Sequence, residues 1–175
     1  MTNKIRNCIL IHYDEIAVKL GNRSWFEKQL AKNVKNQIKG LPFSSIKRFS
    51  ARIFINDINI TKANQYMSKL SSVMGISSIH LMRDFISEEL DIKKNSLELL
   101  ELEKDNFQTF KIFTKRQNKK FLKTSQELNA IVGEVICTKL NKKVNLKNPD
   151  IELRIELVED RAFIGHQYNT GFGGL

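Results

Sequence analysis

SSIKRFSARIFIN, residues Ser44–Asn56, holds two short runs of strand-forming residues with no room for a helix between them. Ser44–Phe49 and Arg52–Asn56 read as strands joined tightly. Upstream, Ser24–Lys39 (SWFEKQLAKNVKNQIK) repeats at helical spacing, with Phe26, Leu30, Val34 and Ile38 on one side. Gly40 and then Pro42 end it. Before that helix, Asn7–Tyr13 (NCILIHY) is a short apolar run that fits a buried strand.

Downstream, Thr61–Met74 reads as a second helix, with Ala63, Tyr66, Met67, Leu70, Val73 and Met74 at core spacing and Gly75 as its C-cap. Ile76–Phe85 follows as a strand. The order is β-α-β-β-α-β, the ferredoxin-like arrangement, within about 85 residues. The expected fold class is α/β in the broad sense (α+β): a ferredoxin-like domain over residues 1–80 and a second domain over residues 81–175.

The second domain opens on an acidic helix, Ser87–Asp105, followed by a strand at Asn106–Thr114. A helix is expected at Ser125–Leu140, with Leu128, Ile131, Val132, Val135, Ile136 and Leu140 as its core face. Gly133 inside it costs about 1 kcal/mol relative to Ala and is expected to permit close packing. Asn148-Pro149-Asp150 is a turn. Ile151–Val158 alternates, with Ile151, Leu153, Ile155 and Leu157 inward and Glu152, Arg154 and Glu156 outward. Arg161–Tyr168 pairs with it across Glu159-Asp160, and GFGGL is expected to be a flexible tail.

The 175 residues are 41% apolar, which favours packed domains over disorder. The net charge of +10 points to a polyanionic partner, nucleic acid or an anionic membrane surface. No apolar run approaches the roughly 18 residues of a membrane span, and the N-terminus reads as a first strand and not as a signal peptide. Cys8 and Cys137 lack any CxxC or His companion and fit reduced thiols in a cytoplasmic protein.

The basic charge is concentrated. Between the strand and helix of the second domain lie Lys115, Arg116, Lys119, Lys120 and Lys123, with Asn118 and Phe121 interleaved. Thr124-Ser125-Gln126-Glu127 has the form of a capping box, which puts a helix N-terminus, with its free amides and positive dipole end, directly after the lysines. Lys115, Arg116, Asn118, Lys119, Lys120, Lys123, Thr124 and Ser125 are therefore candidate phosphate ligands. The competing reading is a solvated loop whose Phe121 plugs the core.

In the first helix Lys28, Lys32, Lys35 and Lys39 share an arc roughly 60° wide, nearly opposite the apolar side. They form a second candidate RNA-binding surface, or only a solvated face. Two basic surfaces, one per domain, suit an extended nucleic acid better than a point ligand. The chain carries no GxxxxGK[ST], no GxGxxG after a strand and no metal-ligand spacing around His12, His80 or His166. Asp14-Glu15 reads as a turn or helix-entry pair. No catalytic residue and no metal site is assigned, and the chain reads as a binder.

Four separated segments then resemble one family in the right order. IHYDEIAVKLGNRSWFEKQLAKNV (Ile11–Val34) resembles the opening of ThiI-type tRNA 4-thiouridine synthetases, and VMGISSI (Val73–Ile79) their passage into the THUMP domain. KRQNKKFLKTSQELNAIVGEVI (Lys115–Ile136) resembles the central THUMP motif, and NPDIELRIELVEDRAFIGHQYNTGFGGL (Asn148–Leu175) its last strands. The chain departs from the pattern at Asp14, at Ser50-Ala51-Arg52 and at Leu122, where the family favours Gly, Gly and Pro.

The resemblance implies a tRNA-binding module. Its THUMP half would grip the 3′ CCA end and its ferredoxin-like half support the acceptor stem, placing a uridine for thiolation by a PP-loop domain. It also implies ATP, Mg and a persulfide donor for that PP-loop domain, with no cofactor in these 175 residues. Two other readings stay open. One is a stand-alone THUMP adapter for another tRNA-modifying enzyme, with an activity of its own not excluded. The other is a docking subunit that uses the acidic helix.

Overall fold

A computed structural model of the chain describes residues 3–13 and 21–171. The Asp14-Glu15 pair and the end of the tail after Gly171 lie outside the described residues. The chain divides into two compact units: Arg6–Met82 with Gln167–Leu175, and Met1–Ile5 with Arg83–His166.

The first unit contains β1 (Arg6–Tyr13), α1 (Arg23–Gln37), β2 (Ser45–Phe49), β3 (Arg52–Asn56), a 3-10 turn (Ile60–Lys62), α2 (Ala63–Ser71) and the start of β4 (Ile76–Ile86). Its strands run in the order β2-β3-β1-β4. β3 pairs antiparallel with both β2 and β1, with Phe49 opposite Arg52 and Cys8 opposite Asn56. Side chains alternate across a strand, so Ile9, Ile11, Tyr13, Ile53 and Ile55 share one face. They pack against Leu30, Val34 and Ile38 from α1 and its end, and Tyr66, Met67 and Leu70 of α2, in one buried cluster.

Two helix ends differ from the sequence reading. α1 stops at Gln37, so Lys39 lies beyond the helix. α2 stops at Ser71, three residues short of Met74, and Met74 is 60% exposed and not core. The reason is local. The Ser71 and Ser72 hydroxyls donate back to the carbonyls of Met67 (2.7 Å) and Lys69 (2.9 Å), competing with helix continuation. Gly75 is then not the cap. Its positive φ of +92° and its seat under the Phe26 ring, where an added Cβ would lie 3.1 Å from Cζ, are what require glycine.

The second unit contains the end of β4, α3 (Glu89–Glu101), β5 (Thr109–Arg116), α4 (Ser125–Leu140), β6 (Lys143–Val144), β7 (Ile151–Val158) and the start of β8 (Arg161–Thr170). β5 pairs parallel with β6 on one side and with β7 on the other, from Phe110 opposite Ile151 to Arg116 opposite Leu157. Parallel neighbours need a crossover, and α4 supplies it. β7 and β8 are antiparallel across a tight turn at Glu159-Asp160. Leu128, Val132 and Ile136 of α4 meet Phe110, Ile112, Leu153 and Ile155 in the core.

Two expectations are corrected here. Glu156 does not face water: it is 0% exposed, with Arg154 Nε 2.8 Å from its carboxylate and the Arg154 guanidinium over the Phe113 ring. The strand is covered on both faces, as is common next to a parallel partner. Gly133 does not serve close packing, because a Cβ there meets nothing within 4 Å. β6 was not expected at all, since its two residues carry no periodicity.

Candidate nucleic-acid interface

The segment between β5 and α4 is a strap tied down at both ends. The amides of Gln117 and Asn118 donate to the Leu157 carbonyl at 2.8 and 3.2 Å. Asn118 Nδ2 donates to the Glu159 carbonyl (2.6 Å), and its Oδ1 accepts the Lys120 amide (2.9 Å). Asn118 therefore shapes the strap, and its side-chain amide is already engaged. Arg116 does the same from the other side: Nη1 donates to the carbonyls of Phe121 (3.2 Å) and Lys123 (3.1 Å). Its guanidinium is half-buried and staples the loop over its own strand.

What the strap leaves outward is charge. Lys115, Lys119 and Lys120 are exposed and Lys123 is half-buried. Phe121 is partly buried and packs against the core cluster, so it anchors the strap and does not stack on a ligand. Leu122, next to it, is 96% exposed. Burying one aromatic of the Phe121-Leu122 pair forces its neighbour outward in so tight a loop.

α4 begins as the sequence reading expects. Thr124 Oγ1 accepts the Glu127 amide and Glu127 Oε2 accepts the Thr124 amide. This satisfies two amides. Those of Ser125 and Gln126, in the first helical turn, have no intrahelical acceptor and remain free to receive an anion. The Thr114 hydroxyl donates to Asn129 Oδ1 (2.6 Å), locking α4 to the strand that leads into the strap. The lysines, the free amides and the dipole end are thus carried by two core-packed elements and one stapled loop.

In the other unit, Lys28, Lys32, Lys35 and Lys39 are all exposed. They do not act alike. Lys32 and Lys35 line a cleft against β2, whereas Lys28 and Lys39 do not. The cleft's far wall, from Phe43 to Ile46, was missed as a site in the sequence, where Ser44–Phe49 reads only as a strand.

The histidines line strands. The His80 ring nitrogen lies 2.9 Å from Ser78 Oγ, and its ring stacks on Tyr168 and meets His12 edge-on. Burial holds His166 below the usual imidazole range, opposed by the charge of Glu103. Among the described residues no group of three or more His, Cys, Asp or Glu is placed to hold a metal. Cys8 is buried and Cys137 half-buried, and the two are not joined in a disulfide. No helix among the described residues is long and apolar enough to cross a membrane.

Residues 8–80 match the ThiI ferredoxin-like domain family, and residues 87–167 match the THUMP domain family. The chain carries a ThiI ferredoxin-like domain followed by a THUMP domain. It is 32% identical to a probable tRNA sulfurtransferase of Natranaerobius thermophilus over 97% of its own length and 43% of the relative's. The chain thus spans less than half of that relative. Among solved structures, PH1313 from Pyrococcus horikoshii superposes with a TM-score of 0.87 at 29% identity, over 97% of this chain and 57% of that one. A 4-thiouridine synthetase in complex with RNA and ATP matches at a TM-score of 0.77 and 29% identity, over 98% of this chain and 43% of that one. The strap and the capped helix lie in the THUMP domain, and Lys28, Lys32, Lys35 and Lys39 in the ThiI ferredoxin-like domain.

Proposed function

We propose that the chain is the tRNA-binding part of a tRNA-thiolating enzyme. The THUMP domain takes the 3′ CCA end on the strap and the α4 N-terminus, and the ferredoxin-like domain supports the acceptor stem through α1. The uridine so placed is thiolated by a PP-loop domain that uses ATP, Mg and a persulfide donor. None of these is assigned to these 175 residues, and the compartment proposed is the cytoplasm. The observation that carries the reading is that Lys119, Lys120 and Lys123 lie one to five residues ahead of a capped helix start whose first-turn amides lack intrahelical acceptors. Ammonium groups and amides aimed at one region suit phosphate, and phosphate contacts set register while RNA shape supplies selection.

The test is binding of a tRNA transcript across a salt series. Log affinity should fall linearly with log salt, by about 0.7–0.9 per phosphate contacted, so three to five contacts give a slope of about −2 to −4. Affinity indifferent to salt between about 50 and 200 mM would sink the reading.

A further inference from the structure

The ferredoxin-like domain holds a cleft of about 390 Å³ between α1 and β2. That is within the range of small-molecule sites. Ala31, Phe43 and Ile46 form its apolar lining, each partly buried against the domain core. Lys32 and Lys35 stand along the α1 wall, Ser44 and Ser45 along the other. No carboxylate is among the described residues that line the cleft, and the nearby Asp57 carboxylate is engaged by Ser44, so the two lysines call for an anion.

The hydroxyls differ in what they offer. Ser45 Oγ accepts from Asn56 Nδ2 at 3.1 Å; Ser45 pairs opposite Asn56 while Ile46 pairs opposite Ile55 of the core under α1, so the Ser45 hydroxyl lies on the sheet face away from α1. Ser44 Oγ lies 2.6 Å from Asp57 Oδ2 and 3.4 Å from the Asn56 carbonyl. Its proton goes to the Asp57 carboxylate, so it presents lone pairs. The cleft therefore offers two ammonium groups for an anion, an apolar surface with one aromatic for a flat ring, and one acceptor for an N–H or O–H. A fatty or purely inorganic anion uses only part of this set.

We propose that this cleft binds a single nucleotide unit. Its phosphate lies against Lys32 and Lys35, and its base lies over Phe43 and Ile46. A ribose hydroxyl or base N–H donates to Ser44. The chemistry is the same for a free nucleoside monophosphate and for an unstacked residue of an RNA strand. The second source rests on the tRNA-binding reading; the site itself does not.

Titration of the ¹⁵N-labelled chain with uridine 5′-monophosphate, uridine and inorganic phosphate tests it. The monophosphate should shift amides at residues 31–35 and 43–46 and bind about tenfold more tightly than either fragment. Lys32→Gln with Lys35→Gln should abolish that advantage; both lysines are exposed, so the spectrum should otherwise stay intact. Uridine monophosphate binding no tighter than phosphate, or shifts confined to other residues, would overturn the proposal. Those results would leave salt-dependent tRNA binding, and the functional reading, untouched. Competition separates the two sources. Displacement of uridine monophosphate from the cleft amides by tRNA supports occupancy by a strand residue, and simultaneous binding of both supports a free nucleotide.

Discussion

Thr124 and Glu127 hold each other: the Thr124 hydroxyl accepts the Glu127 amide at 3.1 Å, and the Glu127 carboxylate accepts the Thr124 amide at 2.8 Å. The pair sets where α4 starts, and hence where its free amides point. Thr124→Ala should lower stability by about 1 kcal/mol, whereas Thr124→Ser should hold it within a few tenths. Denaturant unfolding of both variants measures this. An alanine variant as stable as the parent would mean that core packing alone fixes the helix start.

The strap lysines should matter by position and not by count. Lys119→Glu with Lys120→Glu should weaken tRNA binding by about tenfold or more at fixed moderate salt. Reversal of Lys94 and Lys104, exposed in and after the acidic α3, should cost far less. Lys93 is a poor control because it is half-buried and 3.9 Å from Glu89. The strap effect should shrink on a tRNA trimmed of its 3′ single strand. Equal losses for the two pairs would reduce the strap to net charge.

The β2–β3 turn carries a removable strain. Ser50 and Ala51 both have positive φ, +53° and +60°. A left-handed conformation costs a residue with a Cβ about 1–2 kcal/mol, and glycine avoids most of it. Ala51→Gly should therefore raise stability by about 0.5–1 kcal/mol after glycine's greater entropy loss is subtracted. A lower thermal midpoint for this variant would show that the turn is not strained as described.

Gly133 offers the opposite substitution. It sits inside α4 with open space where its Cβ would be. Gly133→Ala should stabilise the THUMP domain by about 1 kcal/mol through helix propensity. Destabilisation would reveal a contact that only glycine tolerates.

Asp150 ties β7 to β5 through charge. Its carboxylate accepts the amides of Gln108 (2.9 Å) and Thr109 (3.1 Å), and these bonds, with help from Lys142, hold its pKa below the ordinary value. A depressed carboxylate pKa contributes stability above the unfolded value, near 3.9, and that contribution fades as pH falls through the folded one. Asp150→Asn should destabilise the chain at neutral pH and flatten the acid side of its stability profile. An unchanged profile between about pH 2 and 5 would remove this role.

The helix, strand and cap positions were readable because they depend on neighbours in the chain. The 3.6 and 2.0 periods of α4 and β7 place their ends at the residues observed, and Thr124-x-x-Glu127 announces its own reciprocal bond. The same local logic misjudged α2, where two serine hydroxyls take back carbonyls that the apolar pattern assigned to the helix.

The fate of individual polar groups was settled by distant partners. Arg116, Asn118 and Lys120 look alike as members of a basic run, yet Arg116 is spent on Phe121 and Lys123, Asn118 on Glu159, and only the Lys120 side chain is left to solvent. Glu156 alternates as if solvated but is buried against Arg154. Lys32 and Lys35 are indistinguishable from Lys28 and Lys39 on a helical wheel, and only the passage of β2 alongside α1 puts two of the four on a cleft. Periodicity reports which face of an element is apolar. Which polar atom meets which partner depends on strand register and loop path, and those bring together residues as far apart in sequence as Asn118 and Glu159, 41 positions, or Ser77 and His12, 65.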